Sequence, residues 1–191
     1  MTRGALEDKF VFNEFKKLIT EFDIKKIVET GTYYGWSSII LSKFNIPIKT
    51  IEFSEKNFKE AKNNLEKNNI QNVEIILGSS SDVLENILVD EEKNLFLFLD
   101  AHWYDYWPIH DELNVCIKKK IKPVIAIHDF FVPDENGRPK FGFDKYKNQK
   151  LDFEYIEQHL IQIYGENNFN YHYNDSIDTV DSGLIYIYPK K

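Results

Sequence analysis

Apolar residues recur along the chain with two periods, and the switches between them mark out the elements. Phe12, Phe15, Leu18, Ile19 and Phe22 fall at helical spacing and predict an amphipathic N-terminal helix within residues 1–23. The short run Ile27-Val28 predicts a strand, which leads into Glu29-Thr30-Gly31-Thr32-Tyr33-Tyr34-Gly35 before helical spacing resumes over 36–44. The alternation then repeats as strand 48–53, helix 55–68, strand 73–77, helix 82–88 and strand 95–99. Pro108 suits the first position of the next helix, where Ile109, Leu113, Cys116 and Ile117 share one stripe and mark Cys116 as core. Strand 124–127 is apolar throughout, as a strand covered on both faces requires. Helix 153–164, strand 169–173, a turn at Asp181-Ser182-Gly183 and strand 184–188 complete the chain.

Five strand and helix alternations in a row predict a doubly wound, Rossmann-like α/β sheet, because parallel neighbours need crossover helices. The sheet is expected to be mostly parallel and seven-stranded, with an antiparallel C-terminal hairpin and helices on both faces. The 191 residues suit a single domain spanning 1–191. Residues 130–150 interrupt the pattern with Pro133, Gly137, Pro139 and Gly142 among charges, which leaves two readings: a lid over a site, or a surface insertion. Ligands of such sheets bind beyond the carboxyl ends of the strands, near the topological switch point, and candidate chemistry belongs there.

Composition narrows the classes. With 24 Lys+Arg against 31 Asp+Glu, the net charge of −7 disfavours nucleic acid as a partner. One cysteine, Cys116, can form neither an internal disulfide nor a zinc cluster, which fits a reducing compartment. The N-terminus lacks the apolar stretch of a signal peptide, and the longest apolar run, 95–99, falls far short of the ~20 residues that cross a bilayer. The expectation is a cytoplasmic protein with no membrane partner and a small-molecule substrate. Aromatic residues at helix faces could also serve a homodimer interface.

The first strand end is not the dinucleotide fingerprint, because Tyr33 stands where G-x-G-x-x-G needs a glycine. Gly31 permits a tight turn and close approach of the backbone to a ligand, and Gly35 lets the next helix start against the strand. Glu29 would repel a pyrophosphate but could pair with an ammonium. At the second strand end, Glu52 can accept hydrogen bonds from both hydroxyls of a ribose, with Phe53 beside the base. The third ends in Leu77-Gly78-Ser79-Ser80-Ser81-Asp82, a small polar turn suited equally to an adenine edge or to capping a helix. Over residues 24–130 these signals resemble the class I S-adenosylmethionine (SAM)-dependent methyltransferases, whose first motif reads acid-x-Gly-x-x-x-Gly. The resemblance implies that Glu29, Gly31, Thr32 and Gly35 hold the methionine part of SAM, Glu52 and Phe53 the ribose side, and Ser79 and Ser80 the adenine, with Asp100 also at the cofactor.

The fourth and fifth strand ends read Leu99-Asp100-Ala101-His102-Trp103-Tyr104-Asp105-Tyr106-Trp107 and Ile127-His128-Asp129-Phe130, in which Asp100, Asp129, His102 and His128 supply two carboxylates and two imidazoles. Asp100, His102, His128 and Asp129 suit a divalent metal or a general base, although Asp100 alone could cap a helix and His128 alone could be a core histidine. The stretch is similar to the macrocin and sugar O-methyltransferase branch, in which Leu-Asp-Gly-Asp-x-Tyr-Glu follows the fourth strand and Asp-Asp-Tyr the fifth. That resemblance implies a magnesium site in which Asp100 and Asp129 match acidic ligands directly and His128 stands where the family often has Asp; the candidate catalytic base is Asp100 or His102. Because His102 and His128 replace acids, the ion is either softer than magnesium or lost, with histidine kept as the base.

The remaining polar and aromatic groups have paired readings. Trp103, Tyr104, Tyr106 and Trp107 are a substrate platform or a hydrophobic cover, and His110 and Asp111 face solvent or the loop. Lys118, Lys119, Lys120 and Lys122 read as a solvated helix end. In the long loop, Arg138 could grip an acidic substrate group while Phe141, Phe143 and Tyr146 wall the acceptor. The function expected is methyl transfer from SAM to an oxygen of a sugar or related hydroxylated metabolite. The rivals are an iron-dependent oxygenase using His102, His128 and a carboxylate, and a non-catalytic SAM-binding protein.

Overall fold

Alternation along one buried strand accounts for the layering. In β4 (Leu95–Leu99), Leu95, Leu97 and Leu99 belong to the core on one side of the sheet, while Phe96 and Phe98 belong to the core on the other. The computed structural model describes residues 5–102, 106–179 and 181–191. Trp103, Tyr104 and Asp105 lie outside them.

Around β4 the chain builds β1 (Lys26–Thr30), β2 (Ile48–Glu52), β3 (Val73–Leu77) and β5 (Val124–Ile127), all parallel. β8 (Phe169–Tyr173) and β9 (Ile185–Pro189) form the C-terminal hairpin, and β9 runs antiparallel between β5 and β8. The seven strands follow the order β3-β2-β1-β4-β5-β9-β8, so β1 and β4 flank the switch point.

One face packs α4 (Ser80–Ile87), α5 (Ile109–Lys119) and α6 (Phe153–Tyr164) through Leu84, Leu113, Cys116, Ile156 and Leu160. The other packs α1 (Lys9–Glu21) and α2 (Trp36–Leu41), where the Phe15 ring lies edge-on to Phe98 at 5.3 Å. The remaining crossover, α3 (Glu55–Lys67), covers β2 and β3. Predicted boundaries shift by a few residues: α2 gives way at Leu41 to a 3-10 turn over Ser42–Phe44, α4 begins at Ser80, and Pro108 caps α5 from outside.

The segment 130–150 carries backbone pairing of its own and to the sheet. Pro133 bridges Pro139, and β6 (Lys145–Tyr146) pairs with β7 (Gln149–Lys150). Gly142 bridges Ser182, and the Asp144 N–H donates to the Asp129 carbonyl at 2.8 Å, which ties the returning leg to the end of β5. No helix among the described residues is long and apolar enough to cross a membrane.

Candidate active site

A cavity of about 870 Å³ opens at the carboxyl ends of β1, β2, β4 and β5, a volume suited to a nucleoside-sized ligand. Its wall includes Gly31 to Tyr34, Glu52 and Phe53, Gly78 and Ser80, and then Asp100, Ala101, His102, His128 and Asp129. The turn residues Tyr33 (φ 50°) and Gly31 (φ 83°) both take the left-handed conformation. This turns the Tyr33 N–H onto Glu52 Oε2 at 2.7 Å, while the Ser54 N–H donates to Oε1 at 2.8 Å. The Glu52 carboxylate is thereby held in one orientation at the cavity wall. Phe53, 58% exposed, stands next to it as an apolar surface.

One sequence reading of the first turn needs correction. Glu29 is a β1 residue with no exposure, beneath the turn and not within it, and it is absent from the cavity wall. Its Oε2 accepts from the Ser38 hydroxyl and, at 2.6 Å, from the Thr50 hydroxyl, so it knots β1 to α2 and β2 and is not placed to meet a ligand's ammonium. Burial pushes its carboxyl up to about 7, against the lowering pull of the Ser37, Ser38 and Thr50 hydroxyls. Gly31 lies on the cavity wall and serves a second approach as well: a Cβ there would lie 2.3 Å from the Asp100 carbonyl oxygen, so its bareness lets the β1 and β4 turns touch each other. Gly35 caps α2 at φ 79°, facing Ala61 of α3. Thr32 lies on the wall with its hydroxyl 2.6 Å from that of Thr50. In the third turn Ser80 lies on the wall but Ser79 does not; the Ser79 hydroxyl makes no capping bond and meets Ser81 at 3.3 Å.

The acids and imidazoles of β4 and β5 form two clusters that share Asp129. In the first, His128 Nδ1 lies 2.9 Å from Asp100 Oδ1 and 3.4 Å from Asp129 Oδ2. Burial alone would lower the His128 pKa, but the Asp100 and Asp129 charges reverse this and hold the ring well above the usual histidine range. Burial likewise acts to raise Asp129, yet His128, the Ser182 hydroxyl and His102 bring it to about 2. Asp129 has a left-handed backbone (φ 52°), a conformation costly for a non-glycine residue and frequent at functional sites. In the second cluster, His102 Nδ1 lies 3.4 Å from Asp144 Oδ2, which also accepts from Trp107 Nε1 at 3.2 Å. Among the described residues no group of three donor atoms within 4.8 Å contains both His102 and His128, so the two-histidine, one-carboxylate arrangement does not form.

Behind the clusters, Glu112 and His128 both line a void of about 20 Å³, the size of one water. Glu112 Oε1 and His128 Nε2 are buried without a protein partner. Burial pushes Glu112 up to about 7, with the Ser80 and Thr30 hydroxyls beside it acting to lower it. Neither Asp144 nor Glu112 carries a sequence signal: one arrives on the returning leg of a long excursion, and the other sits within a helical apolar stripe. His110 does not face solvent as expected; it stacks between Tyr155 (4.0 Å) and His159 (4.4 Å) on α6. Arg138, Phe141, Phe143 and Tyr146 are absent from the cavity wall, and the Phe143 ring instead meets Phe131 edge-on at 5.0 Å.

Comparison with known proteins gives this geometry a family. A solved structure from Klebsiella pneumoniae, provisionally designated an O-methyltransferase, aligns over 100% of this chain and 82% of its own, with 18% identity and a TM-score of 0.66. An O-methyltransferase from Bacillus cereus, solved in complex with S-adenosylhomocysteine (SAH), aligns over 94% and 81% with 22% identity and a TM-score of 0.59. TomG, an O-methyltransferase of tomaymycin synthesis from Streptomyces achromogenes solved with SAM, aligns over 92% and 77% with 16% identity and a TM-score of 0.60. At these identities the likeness speaks for the fold. No curated protein sequence matches the chain. Residues 5–129, which carry the first five strands and every cavity-wall residue named above, match the O-methyltransferase family, and the chain belongs to that family.

Proposed function

We propose that the protein moves the methyl group of SAM to a hydroxyl oxygen of a small, uncharged polyhydroxylated acceptor such as a sugar, with His102 taking the acceptor proton. Bound SAM supplies a methyl already activated on sulfonium, which leaves the protein to align the acceptor and remove its proton. The S–CH3 bond breaks as the O–CH3 bond forms; the electron pair stays on sulfur, and the hydroxyl proton passes to the imidazole. The observation that carries this reading is the pre-set Glu52 carboxylate on the wall of a cavity that also holds His102. Glu52 suits the ribose hydroxyls, and Phe53 and Gly78 border the space left for the base.

His102 is the better base of the two candidates, because its side chain is 51% exposed whereas Asp100 Oδ1 is committed to His128. Asp100 and Asp129 on the cavity wall outnumber the single positive charge of His128 between them, which disfavours a phosphate or carboxylate acceptor. Asp100, His128 and Asp129 present one nitrogen and two oxygens within 4.8 Å of one another. That donor set fits a borderline divalent ion such as zinc better than magnesium, which prefers oxygen ligands throughout. Such an ion, held by these three residues, would supply Lewis acidity that lowers the pKa of a nearby hydroxyl.

The test is transfer of labelled methyl from SAM to a panel of sugars and other hydroxylated metabolites, with H102A alongside. Product formation that H102A abolishes is expected. Turnover undiminished in H102A would remove the assigned base.

A further inference from the structure

The excursion between β5 and α6 brings into the site a carboxylate that the strand-end pattern lacks. We infer that Asp144 is a positioning residue, which holds the His102 ring through Nδ1 and so leaves Nε2 as the nitrogen for the acceptor hydroxyl. This deepens the proposal above and rests on its reading of His102 as the base.

Three observations lead to it. Asp144 is fixed by backbone, independently of its side chain: its N–H donates to the Asp129 carbonyl at 2.8 Å, and its carbonyl accepts from the Leu151 N–H at 3.1 Å. The carboxylate is then aimed by the Trp107 indole, whose Nε1 donates to Oδ2 at 3.2 Å. The same Oδ2 faces His102 Nδ1 at 3.4 Å, within ion-pair reach. An imidazole that is half exposed, as His102 is, has little packing to fix its rotation. The partner of one ring nitrogen therefore decides which nitrogen carries the proton. With Nδ1–H given to Asp144, the bare nitrogen of neutral His102 is Nε2, the acceptor a proton abstraction needs. Asp100 Oδ1 is engaged elsewhere, by His128 Nδ1 at 2.9 Å.

The distinguishing readout is the tautomer of His102, which a merely structural Asp144 would not control. The 15N-histidine-labelled protein is observed by long-range 1H–15N correlation at alkaline pH, where imidazole is neutral. His102 is assigned by the resonances lost in H102Q. Wild type should give a protonated, pyrrole-type Nδ1 and a bare, pyridine-type Nε2. In D144A, which keeps the backbone bonds that pin the excursion, the two types should exchange. A wild-type His102 protonated at Nε2 would overturn the inference without need of any variant, and so would an unchanged pattern in D144A. With an acceptor in hand, D144A should lower kcat roughly 10- to 100-fold while KM for SAM moves less than about twofold. An unchanged kcat in D144A beside an inactive H102A would also overturn it. If instead H102A turns over normally while the tautomer switch is seen, the base assignment fails and the Asp144–His102 pairing stands.

Discussion

Replacing Gly31 by alanine tests the claim that the cavity depends on two strand-end turns touching. The added Cβ would lie 2.3 Å from the Asp100 carbonyl oxygen and 2.6 Å from its carbon, so the β1 and β4 turns must part by about 1 Å to restore ordinary contact. The Asp100 N–H bond to the Thr30 carbonyl (3.1 Å) spans that gap, and a displaced Asp100 also disturbs its contact with His128 (2.9 Å). The left-handed backbone at φ 83° adds about 1–2 kcal/mol for any side chain, and overpacking about 1–3 kcal/mol. A total near 3 kcal/mol in a chain of this size lowers Tm by about 6–12 °C. Gly137 supplies the control, because it shares the conformation (φ 73°) but has nothing within 4 Å of a built Cβ. G137A should therefore cost only about 1 kcal/mol, or about 2–4 °C. Thermal melts of both variants, with calorimetric titration of SAH, read the difference. Equal losses of Tm, or a G31A protein that binds SAH as wild type does, would refute the packing argument.

Other consequences follow from the same geometry. E52Q keeps the shape but gives up the charge held by the Tyr33 and Ser54 N–H groups, and should weaken SAH binding about tenfold, equivalent to about 1.4 kcal/mol, by calorimetry. D100N should abolish turnover while SAH binding stays largely intact; loss of both together would remove Asp100 from the chemistry. Burial raises the folded pKa of Glu112 from 4.5 to about 7, so its stabilising contribution is complete below pH 4.5 and is lost as pH rises through about 7. That span corresponds to roughly 3 kcal/mol. E112Q should therefore match wild type in Tm at acidic pH and exceed it above neutrality, with a residual slope from Glu29, which titrates in the same direction. A Tm difference independent of pH would contradict the assignment. The Asp129 contribution has the opposite sign, complete above pH 3.8 and lost as pH falls toward about 2, and D129N should remove that acid-limb loss from a denaturant titration.

The alternation of β1 to β5 was legible in the sequence because parallel strands buried on both faces must be apolar throughout, as Leu95 to Leu99 and Val124 to Ile127 are. Glu52, Asp100, His102, His128 and Asp129 were legible as wall residues for a related reason: a polar side chain that ends an apolar strand stands where the sheet stops. Glu29 was misplaced because it lies one residue inside that end, where a serine and a threonine hydroxyl bind one oxygen of a carboxylate that no spacing rule marks as buried. The contact of Gly31 with Asp100 was not legible, because the two residues are far apart in the chain and close only through strand pairing. Asp144 was invisible for the same physical reason. Its place depends on a backbone bond to Asp129 across an excursion whose proline and charge content resembles any surface loop.

The most direct test of the central claim is calorimetric titration of the metal-stripped protein with SAH, repeated with manganese or magnesium added. Saturable one-to-one binding, lost or weakened in E52Q, is the result predicted for a SAM site built on the ends of β1, β2 and β4. No binding in either condition would contradict it.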